Sequence, residues 1–192
     1  MTARVILITH AETAATLAAR FPDDDALTAR GREAAIAASR ALPAIDGGCA
    51  GPERSCMQTA AALGLDVVPE PELRDLDVGD WRGRRLQEIE AEQPAELLGW
   101  LTDSRAAPHG GESVCQLIDR VAGWLETGAE GRSRIVAVTH QAVVRAAVLH
   151  ALGAPPSVFW RIDARPLSQT RLSRHGGRWR LTETGHILGV DA

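Results

Sequence analysis

Residues 4–10 are Arg-Val-Ile-Leu-Ile-Thr-His, and residues 134–140 are Arg-Ile-Val-Ala-Val-Thr-His. Each segment is a short apolar run that ends in polar residues, which is typical of a buried parallel strand. In open α/β sheets, ligands bind at the carboxyl ends of such strands. His10 and His140 end the two runs, so we predict that both imidazoles lie at the ligand-binding edge of one sheet.

The rest of the chain alternates predicted helices with predicted strands. The clearest helix follows residues 110–113, where apolar residues spaced three and four apart form one stripe. Further helices are predicted at about 28–42, 55–63, 86–93, 95–101 and 143–152, further strands near 49 and 67–68, and a terminal hairpin at 167–174 and 179–184. We interpret 70–83 as a loop. The alternation favours a three-layer α/β/α sandwich with a mainly parallel sheet and an antiparallel edge.

All 21 basic side chains are arginines, because the sequence contains no lysine. Schiff-base and carbamate chemistry need a lysine amine, so the composition excludes both. The net charge of −4 provides no field that would attract nucleic acid or an anionic membrane. A length of 192 residues with 45% hydrophobic content fits one domain. We therefore predict a single domain over residues 1–192 whose partner is a small-molecule substrate.

The three cysteines, Cys49, Cys56 and Cys115, form no C-x-x-C pair and leave one thiol over in any pairing. That pattern does not suit a disulfide framework and favours a reducing compartment. The apolar start at 5–8 is too short for a signal peptide, and no run reaches the ~18 apolar residues of a membrane span. We predict a cytoplasmic protein without a membrane partner, and the oligomeric state stays open.

Several short motifs follow one another along almost the whole chain. They are Thr9-His10-Ala11-Glu12-Thr13, Leu27-Thr28-Ala29-Arg30-Gly31, the segment 51–60 (Gly-Pro-Glu-Arg-Ser-Cys-Met-Gln-Thr-Ala), the segment 73–83 (Leu-Arg-Asp-Leu-Asp-Val-Gly-Asp-Trp-Arg-Gly), Gly110-Gly111-Glu112-Ser113 and Val138-Thr139-His140. In this order they resemble the motifs of the histidine phosphatase superfamily, also called phosphoglycerate mutase-like. The resemblance implies the phosphoglycerate mutase-like fold.

The resemblance also implies a reaction and its residues. His10 corresponds to the family nucleophile, which attacks phosphorus and forms a phosphohistidine that water then hydrolyses. Asp75 corresponds to the carboxyl group that protonates the leaving oxygen, and His140 to a donor that binds the phosphoryl oxygens. The expected activity is hydrolysis of a small phosphorylated metabolite. We predict no cofactor and no metal, because the two histidines and Asp75 lack the chelating spacings of zinc sites.

The sequence departs from the family at the positions that bind phosphate. Thr9 and Ser55 stand where the family has arginines, and Arg54 lies one residue early. A shift of one residue turns a helical side chain by about 100°, so Arg54 does not simply replace the missing arginine. Other departures are Ala11 and Gln141 in place of glycines and Asp75 in place of glutamate. We predict a substrate-binding set of Thr9, Ser55, Arg54 and Gln141.

The loss of the two arginines predicts weak activity on generic phosphates. An arginine on a transferring phosphoryl group is worth roughly 10³–10⁵ in rate. The nearest replacement cations are Arg54, Arg74, Arg82 and Arg145. We expect Arg82 and Arg145 to be solvated or structural, because the first lies in a predicted loop and the second one helical turn beyond His140.

Two other functions fit the same residues. The site can be a repurposed enzyme that uses His10, His140 and Asp75 for acid–base chemistry on a less charged substrate. Alternatively, the chain can be a non-catalytic binding module that has kept the scaffold. Turnover of an aryl phosphate together with a trapped phosphohistidine on His10 separates the phosphatase from both alternatives.

The segment 86–109 is predicted to form a lid over the pocket. Trp100 and Leu97 are candidates for lining it. Their helical spacing fits a place in the core equally well.

Overall fold

Six strands form one mixed sheet in the computed structural model, which describes residues 3–42, 48–128 and 134–189. They are β1 (Ala3–Thr9), β2 (Gly48–Ala50), β3 (Val67–Pro69), β4 (Arg134–Thr139), β5 (Ser168–His175) and β6 (Arg178–Ile187). Their order across the sheet is β3-β2-β4-β1-β5-β6. Neighbours from β3 to β1 pair in parallel, whereas β5 is antiparallel to both β1 and β6. The predicted mainly parallel sheet with an antiparallel edge is confirmed.

Helices occupy the predicted helical segments and some additional ones. The α-helices are α1 (Ala14–Leu17), α2 (Ala29–Ala38), α3 (Arg54–Ala62), α4 (Leu86–Glu92), α5 (Pro94–Thr102), α6 (Val114–Gly128) and α7 (Gln141–Leu152). Short 3-10 helices lie at Ser39–Ala41, Pro71–Leu73, Gly79–Trp81 and Pro156–Arg161. The stretch 70–83, predicted as a loop, thus contains two 3-10 turns. Helix α7 starts two residues earlier than predicted, because His140 itself is the N-cap residue.

Helices cover both faces of the sheet. Val5 and Leu7 of β1 belong to a core cluster that includes side chains of α6 and α7. Ile6 and Ile8 point to the other face, where they pack in a cluster with residues of α2 and α3. This alternation follows from the two-residue period of a strand. The predicted three-layer α/β/α sandwich is confirmed.

The register of the central strands places the two histidines at one edge. Strands β1 and β4 are neighbours, with Thr9 opposite Thr139. The His10 N–H donates to the carbonyl oxygen of Thr139 at 2.8 Å, and the Gly51 N–H donates to the end of β4. The start of α3 therefore lies beside His10 and His140 at the carboxyl edge of the sheet.

Glycine is required at position 51 by the closeness of its surroundings. A Cβ atom built on Gly51 would lie 2.8 Å from the carbonyl oxygen of Leu73 and 2.9 Å from Oε2 of Glu53. It would also lie 3.3 Å from Nε2 of His140. Any side chain here would push the elements of the histidine edge apart.

The segment 86–109 contains α4, α5 and the loop that follows them. Leu97 and Trp100 are both buried in the larger core cluster, as their helical spacing allowed. Trp100 also lines the cavity at the histidine edge, whereas Leu97 does not. The lid function of this segment stays a prediction.

Candidate active site

A cavity of about 670 Å³ lies at the carboxyl edge of the sheet. Both histidines contribute to its wall, together with side chains from α3, α7 and the 74–78 loop. The polar residues in the wall include Glu53, Ser55, Asp75, Gln141 and Arg145. The rings of His10 and His140 meet edge to face, with their centroids 5.1 Å apart. The predicted convergence of the two imidazoles is confirmed.

His10 is held as a neutral imidazole with one defined tautomer. Its Nδ1 atom lies 2.8 Å from the carbonyl oxygen of Ala11, and because a carbonyl can only accept, Nδ1 carries the proton. Burial, reinforced by the neighbouring charge of His140, lowers the pKa of His10 to about 4. At neutral pH the Nε2 atom therefore has a free lone pair and is able to act as a nucleophile.

His140 is held in the opposite state, as an imidazolium. Burial alone would lower its pKa, but the charge of Asp75, together with the contacts with Cys56 and Glu53, outweighs burial and raises the pKa well above 6.5. The Nε2–H group donates to Oε2 of Glu53 at 2.8 Å. On the other side of the ring, Oδ2 of Asp75 lies 3.3 Å from Nδ1 as an ion pair without hydrogen-bond geometry. The site thus combines a neutral histidine with a charged one, which is the pairing that a nucleophile and an anion-binding group need.

Glu53 is a site residue that the sequence analysis did not identify. It is the N-cap residue of α3, and its Oε1 atom accepts the backbone N–H of Asp75 at 3.1 Å. Burial would raise the pKa of Glu53, but the hydrogen bond from His140 outweighs it and lowers the pKa, so the group is ionised. No local signal marks this glutamate, because its partner lies 87 residues away and meets it only through the β2–β4 pairing.

Asp75 is positioned by a clamp on its backbone. Arg120 of α6 donates to the carbonyl oxygens of Glu72, Arg74 and Asp75, and it forms a buried ion pair with Glu112. These contacts fix the loop that carries Asp75 against α6. The carboxylate is consequently held beside His140 without a side-chain partner of opposite charge other than that histidine among the described residues.

A family model described as "Histidine phosphatase superfamily (branch 1)" matches residues 5–186. The chain belongs to the histidine phosphatase superfamily. A glucosyl-3-phosphoglycerate phosphatase of Mycolicibacterium vanbaalenii is 32% identical over 171 residues, covering 79% of this chain and 75% of the relative. Phosphoserine phosphatase 1 of Hydrogenobacter thermophilus is 28% identical over 171 residues, covering 82% and 80%.

A solved structure extends this similarity to the fold. The structure of a mycobacterial glucosyl-3-phosphoglycerate phosphatase superposes with a TM-score of 0.82 at 27% identity, covering 95% of this chain and 98% of the other. The phosphatase names of these relatives support a phosphatase-type enzyme. Within the described residues, no helix is long and apolar enough to cross a bilayer, and the cytoplasmic location stays a prediction.

The predicted substrate-binding residues of this histidine phosphatase separate into two pairs. Ser55 and Gln141 line the cavity. Thr9 does not, since its hydroxyl donates to the Arg165 carbonyl and accepts the Ser168 N–H at 3.0 Å. Arg54 is exposed outside the cavity wall. The predicted substrate contacts of Thr9 and Arg54 are thus corrected, because the β1 register turns Thr9 towards β5 and the first turn of α3 directs Arg54 outwards.

Arg145 is one of the arginines that line the cavity. Its Nε–H donates to the Ile162 carbonyl at 2.8 Å, and its guanidinium packs over the rings of Phe159 and Trp160. Burial lowers its pKa from a value so high that it remains charged. Among the described residues no carboxylate lies within ion-pair distance of Arg145. These contacts fit the structural role that we expected, and the half-buried side chain also lines the cavity.

The other arginines of the cavity wall already have acidic partners. Arg74 lies 3.9 Å from Glu112, and Arg82 lies 3.2 Å from Asp77. Arg20 is paired with Asp25. The charge of Arg145 is therefore more available to a bound anion than the charges of these three arginines.

Two helices begin at the histidine pair. Helix α3 starts after Glu53, and α7 starts after His140. The N-terminus of a helix carries partial positive charge and free N–H groups, so it favours bound anions. The backbone thus contributes positive potential at the histidine pair.

One cluster at this edge has the donor atoms of a metal site. A carboxylate oxygen of Glu53, Sγ of Cys56 and a ring nitrogen of His140 all lie within 4.8 Å of one another. Sγ of Cys56 is 3.2 Å from Nε2 of His140. Burial raises the pKa of the Cys56 thiol, so the sulfur is protonated at neutral pH when no metal is bound.

Proposed function

We propose that this protein hydrolyses the phosphate monoester of a small metabolite through a phosphohistidine on His10. One observation carries the proposal: a neutral histidine with a free Nε2 lone pair lies 5.1 Å, ring to ring, from a charged histidine inside one cavity. The phosphatase relatives support the same reaction class.

The reaction has two displacement steps. Nε2 of His10 attacks phosphorus in line, and the bond from phosphorus to the ester oxygen breaks. The leaving oxygen takes a proton that the ester brings as its monoanion and that the Asp75 carboxylate relays. Water then attacks the phosphohistidine and releases phosphate, with Asp75 taking a proton from that water. The charge of His140, the two helix N-termini and Arg145 stabilise the phosphoryl oxygens in both steps.

Glu53 sets the level of this activity. Its carboxylate accepts the hydrogen bond from Nε2–H of His140. A phosphoryl oxygen can accept this hydrogen bond only after the carboxylate has moved away. Its side chain is 25% exposed, which leaves room for that movement towards solvent. This competition, together with the two missing arginines, explains the weak activity we expect on generic phosphates.

The test is a trapping experiment with aryl phosphate and a panel of sugar, glycerate and serine phosphates. We expect turnover and an acid-labile phosphate on His10, and both should disappear in His10→Ala. His175→Ala is the matched control, because His175 is exposed in the β5–β6 turn. Turnover that persists in His10→Ala, or absence of phosphohistidine across the panel, would overturn the proposal.

A second function is favoured by the two carboxylates that flank His140. Glu53 and Asp75 make the pocket less suited to a dianion and better suited to acid–base chemistry on a weakly charged substrate. Ser55→Arg distinguishes the two, because Ser55 lines the cavity and the new guanidinium would restore a phosphate-binding charge. A phosphatase gains activity from this change, whereas an acid–base enzyme loses its own.

A further inference from the structure

We propose that Glu53, Cys56 and His140 form a binding site for a zinc ion at the inner wall of the cavity. The three side chains supply one oxygen, one sulfur and one nitrogen atom, all within 4.8 Å of one another. Zinc binds this mixture of ligands, whereas magnesium and calcium take oxygen ligands. The oxygen, sulfur and nitrogen donors therefore favour zinc over magnesium or calcium.

The spacing of the ligand atoms is close to that of a tetrahedral zinc site. Zinc–ligand bonds of about 2.0–2.3 Å put two ligand atoms roughly 3.4–3.6 Å apart. Nε2 of His140 lies 2.8 Å from Oε2 of Glu53 and 3.2 Å from Sγ of Cys56. Admission of the ion requires Oε2 of Glu53 to move about half an ångström away from Nε2, which rotation of the Glu53 side chain can provide. Sγ of Cys56 has to move away from Nε2 by about 0.3 Å.

The fold holds the ligands on three rigid points. Glu53 and Cys56 are three residues apart at the start of α3, so their side chains share one face of its first turn. His140 is supplied by the end of β4. Cys56 packs in the same core cluster as the β4 side chains Val136 and Val138, which keeps α3 and β4 in fixed register.

Outer contacts orient two of the three ligands. Oδ2 of Asp75 lies 3.3 Å from Nδ1 of His140, on the far side of the ring from the proposed metal. A metal-bound histidine commonly donates its other N–H to such a carboxylate. The backbone N–H of Asp75 also donates to Oε1 of Glu53, which leaves Oε2 for the ion.

The site balances the charge of the ion. Binding removes a proton from Sγ of Cys56 and another from Nε2 of His140, and both pass to the buffer. The resulting thiolate and the Glu53 carboxylate carry two negative charges, which neutralise Zn²⁺. Because Cys56 has no exposed surface, the ion would lose water molecules on that side. An ion that loses water is stable there only if nearby negative charges neutralise it. Three protein ligands leave a fourth position for water.

Zinc and phosphate cannot use the site together. The ion takes the lone pair of Nε2, whereas the phosphoryl oxygen needs the proton on that atom. Zinc is therefore expected to inhibit the hydrolysis, and this consequence alone rests on the proposed function.

The test measures binding directly and without substrate. Protein stripped with a chelator is titrated with zinc against a chromophoric chelator, and cobalt(II) is used as a spectroscopic probe. We expect one equivalent of zinc bound with sub-micromolar Kd and a thiolate-to-cobalt charge-transfer band. Cys56→Ser should lose the band and weaken zinc binding at least 100-fold.

Cys115→Ser is the matched control, because Cys115 is a free thiol on α6 outside the cavity wall. It should retain the cobalt band, the zinc affinity and the hydrolysis. The proposal is overturned by substoichiometric binding, by the absence of the band, or by equal affinity in Cys56→Ser. Because no substrate is present, any of these results leaves the phosphatase proposal standing, and loss of the phosphatase proposal leaves zinc binding to be measured.

Discussion

The carboxylate of Glu53 and the oxygens of a phosphate ester compete for the same N–H of His140. In the structure the carboxylate holds it, through a hydrogen bond of 2.8 Å from Nε2. The negative charge of Glu53 opposes the binding of an anion at His140, in addition to the absence of arginine at positions 9 and 55. Thr9 and Ser55 carry no charge, and Glu53 places a negative charge beside His140.

Glu53→Gln should strengthen the binding of phosphate esters. The single amide oxygen keeps the Asp75 N–H, whereas the His140 N–H loses its carboxylate acceptor and the negative charge is gone. We expect KM for an aryl phosphate to fall about fivefold to tenfold, equivalent to roughly 1–1.4 kcal/mol, with a smaller change in kcat. Steady-state kinetics with a chelator present measure this. Glu90→Gln on the exposed face of α4 is the control, and an unchanged or increased KM in Glu53→Gln contradicts the argument.

The low pKa of His10 has a consequence for stability at acidic pH. Burial, reinforced by the charge of His140, lowers the pKa of this histidine from 6.5 to about 4 in the folded protein. As the pH falls below 6.5, the unfolded chain binds a proton at position 10 before the folded chain does, so protonation favours unfolding. The stability that depends on neutral His10 is complete above pH 6.5 and is lost as the pH falls to about 4.

Histidine NMR and urea unfolding together test this linkage. The ring signal that is missing in His10→Asn should titrate near pH 4 in the wild type. The free energy of unfolding should decline between pH 6.5 and 4 more steeply in the wild type than in His10→Asn. A His10 signal that titrates near 6.5, with parallel stability curves, contradicts the assigned state of the nucleophile.

At the scale of elements, the loop that carries Asp75 depends on α6. The Arg120 guanidinium donates to three backbone carbonyls of residues 72–75 and pairs with Glu112. Both charged side chains are at most 10% exposed. A buried pair of this kind contributes little net stability as a whole, but removal of one partner leaves the other charge unpaired.

Arg120→Ala should therefore lower both stability and turnover. We expect a loss of about 3 kcal/mol in the free energy of unfolding. A displaced Asp75 should lower kcat more than it changes KM, by about tenfold or more. Urea unfolding and steady-state kinetics measure the two effects. Arg180→Ala on the exposed side of β6 should change neither, and a wild-type kcat in Arg120→Ala would show that the clamp does not position Asp75.

The sequence predicts elements well where the signal is local. The apolar runs of β1 and β4 and the stripe of α6 depend on nearest neighbours along the chain, and each was found within one or two residues. Glu53 and Cys56 had no such signal, because they meet His140 only through the register of β2 against β4. The place of Arg145 in the cavity wall was not foreseen for the same reason: helical spacing gives its distance from His140 along α7 but not the direction of the cavity.

At the scale of the whole molecule, the chain of net charge −4 concentrates opposing charges at one sheet edge. His140, Arg145 and two helix N-termini favour an anion there, whereas Glu53, Cys56 and Asp75 favour a cation. The two proposals together give a single site that takes either ligand but not both, so binding of one ligand removes the stabilisation that the other would provide. Each ligand stabilises the folded chain by RT ln(1 + [L]/Kd), provided that the other has not already bound.

Sulfate and zinc should therefore stabilise the protein separately but not additively. Sulfate serves as a tetrahedral dianion that stays soluble with zinc. At about ten times its Kd it should add roughly 1.4 kcal/mol, which corresponds to a Tm increase of about 3–6 °C for a chain of this size. The same titration of His140→Gln gives the general salt effect to be subtracted. With one equivalent of zinc bound, the site-specific sulfate increase should vanish, and in Cys56→Ser it should persist at any zinc concentration used. Additive shifts in the wild type would mean that the two ligands occupy different places, and His140 would then not be their shared partner.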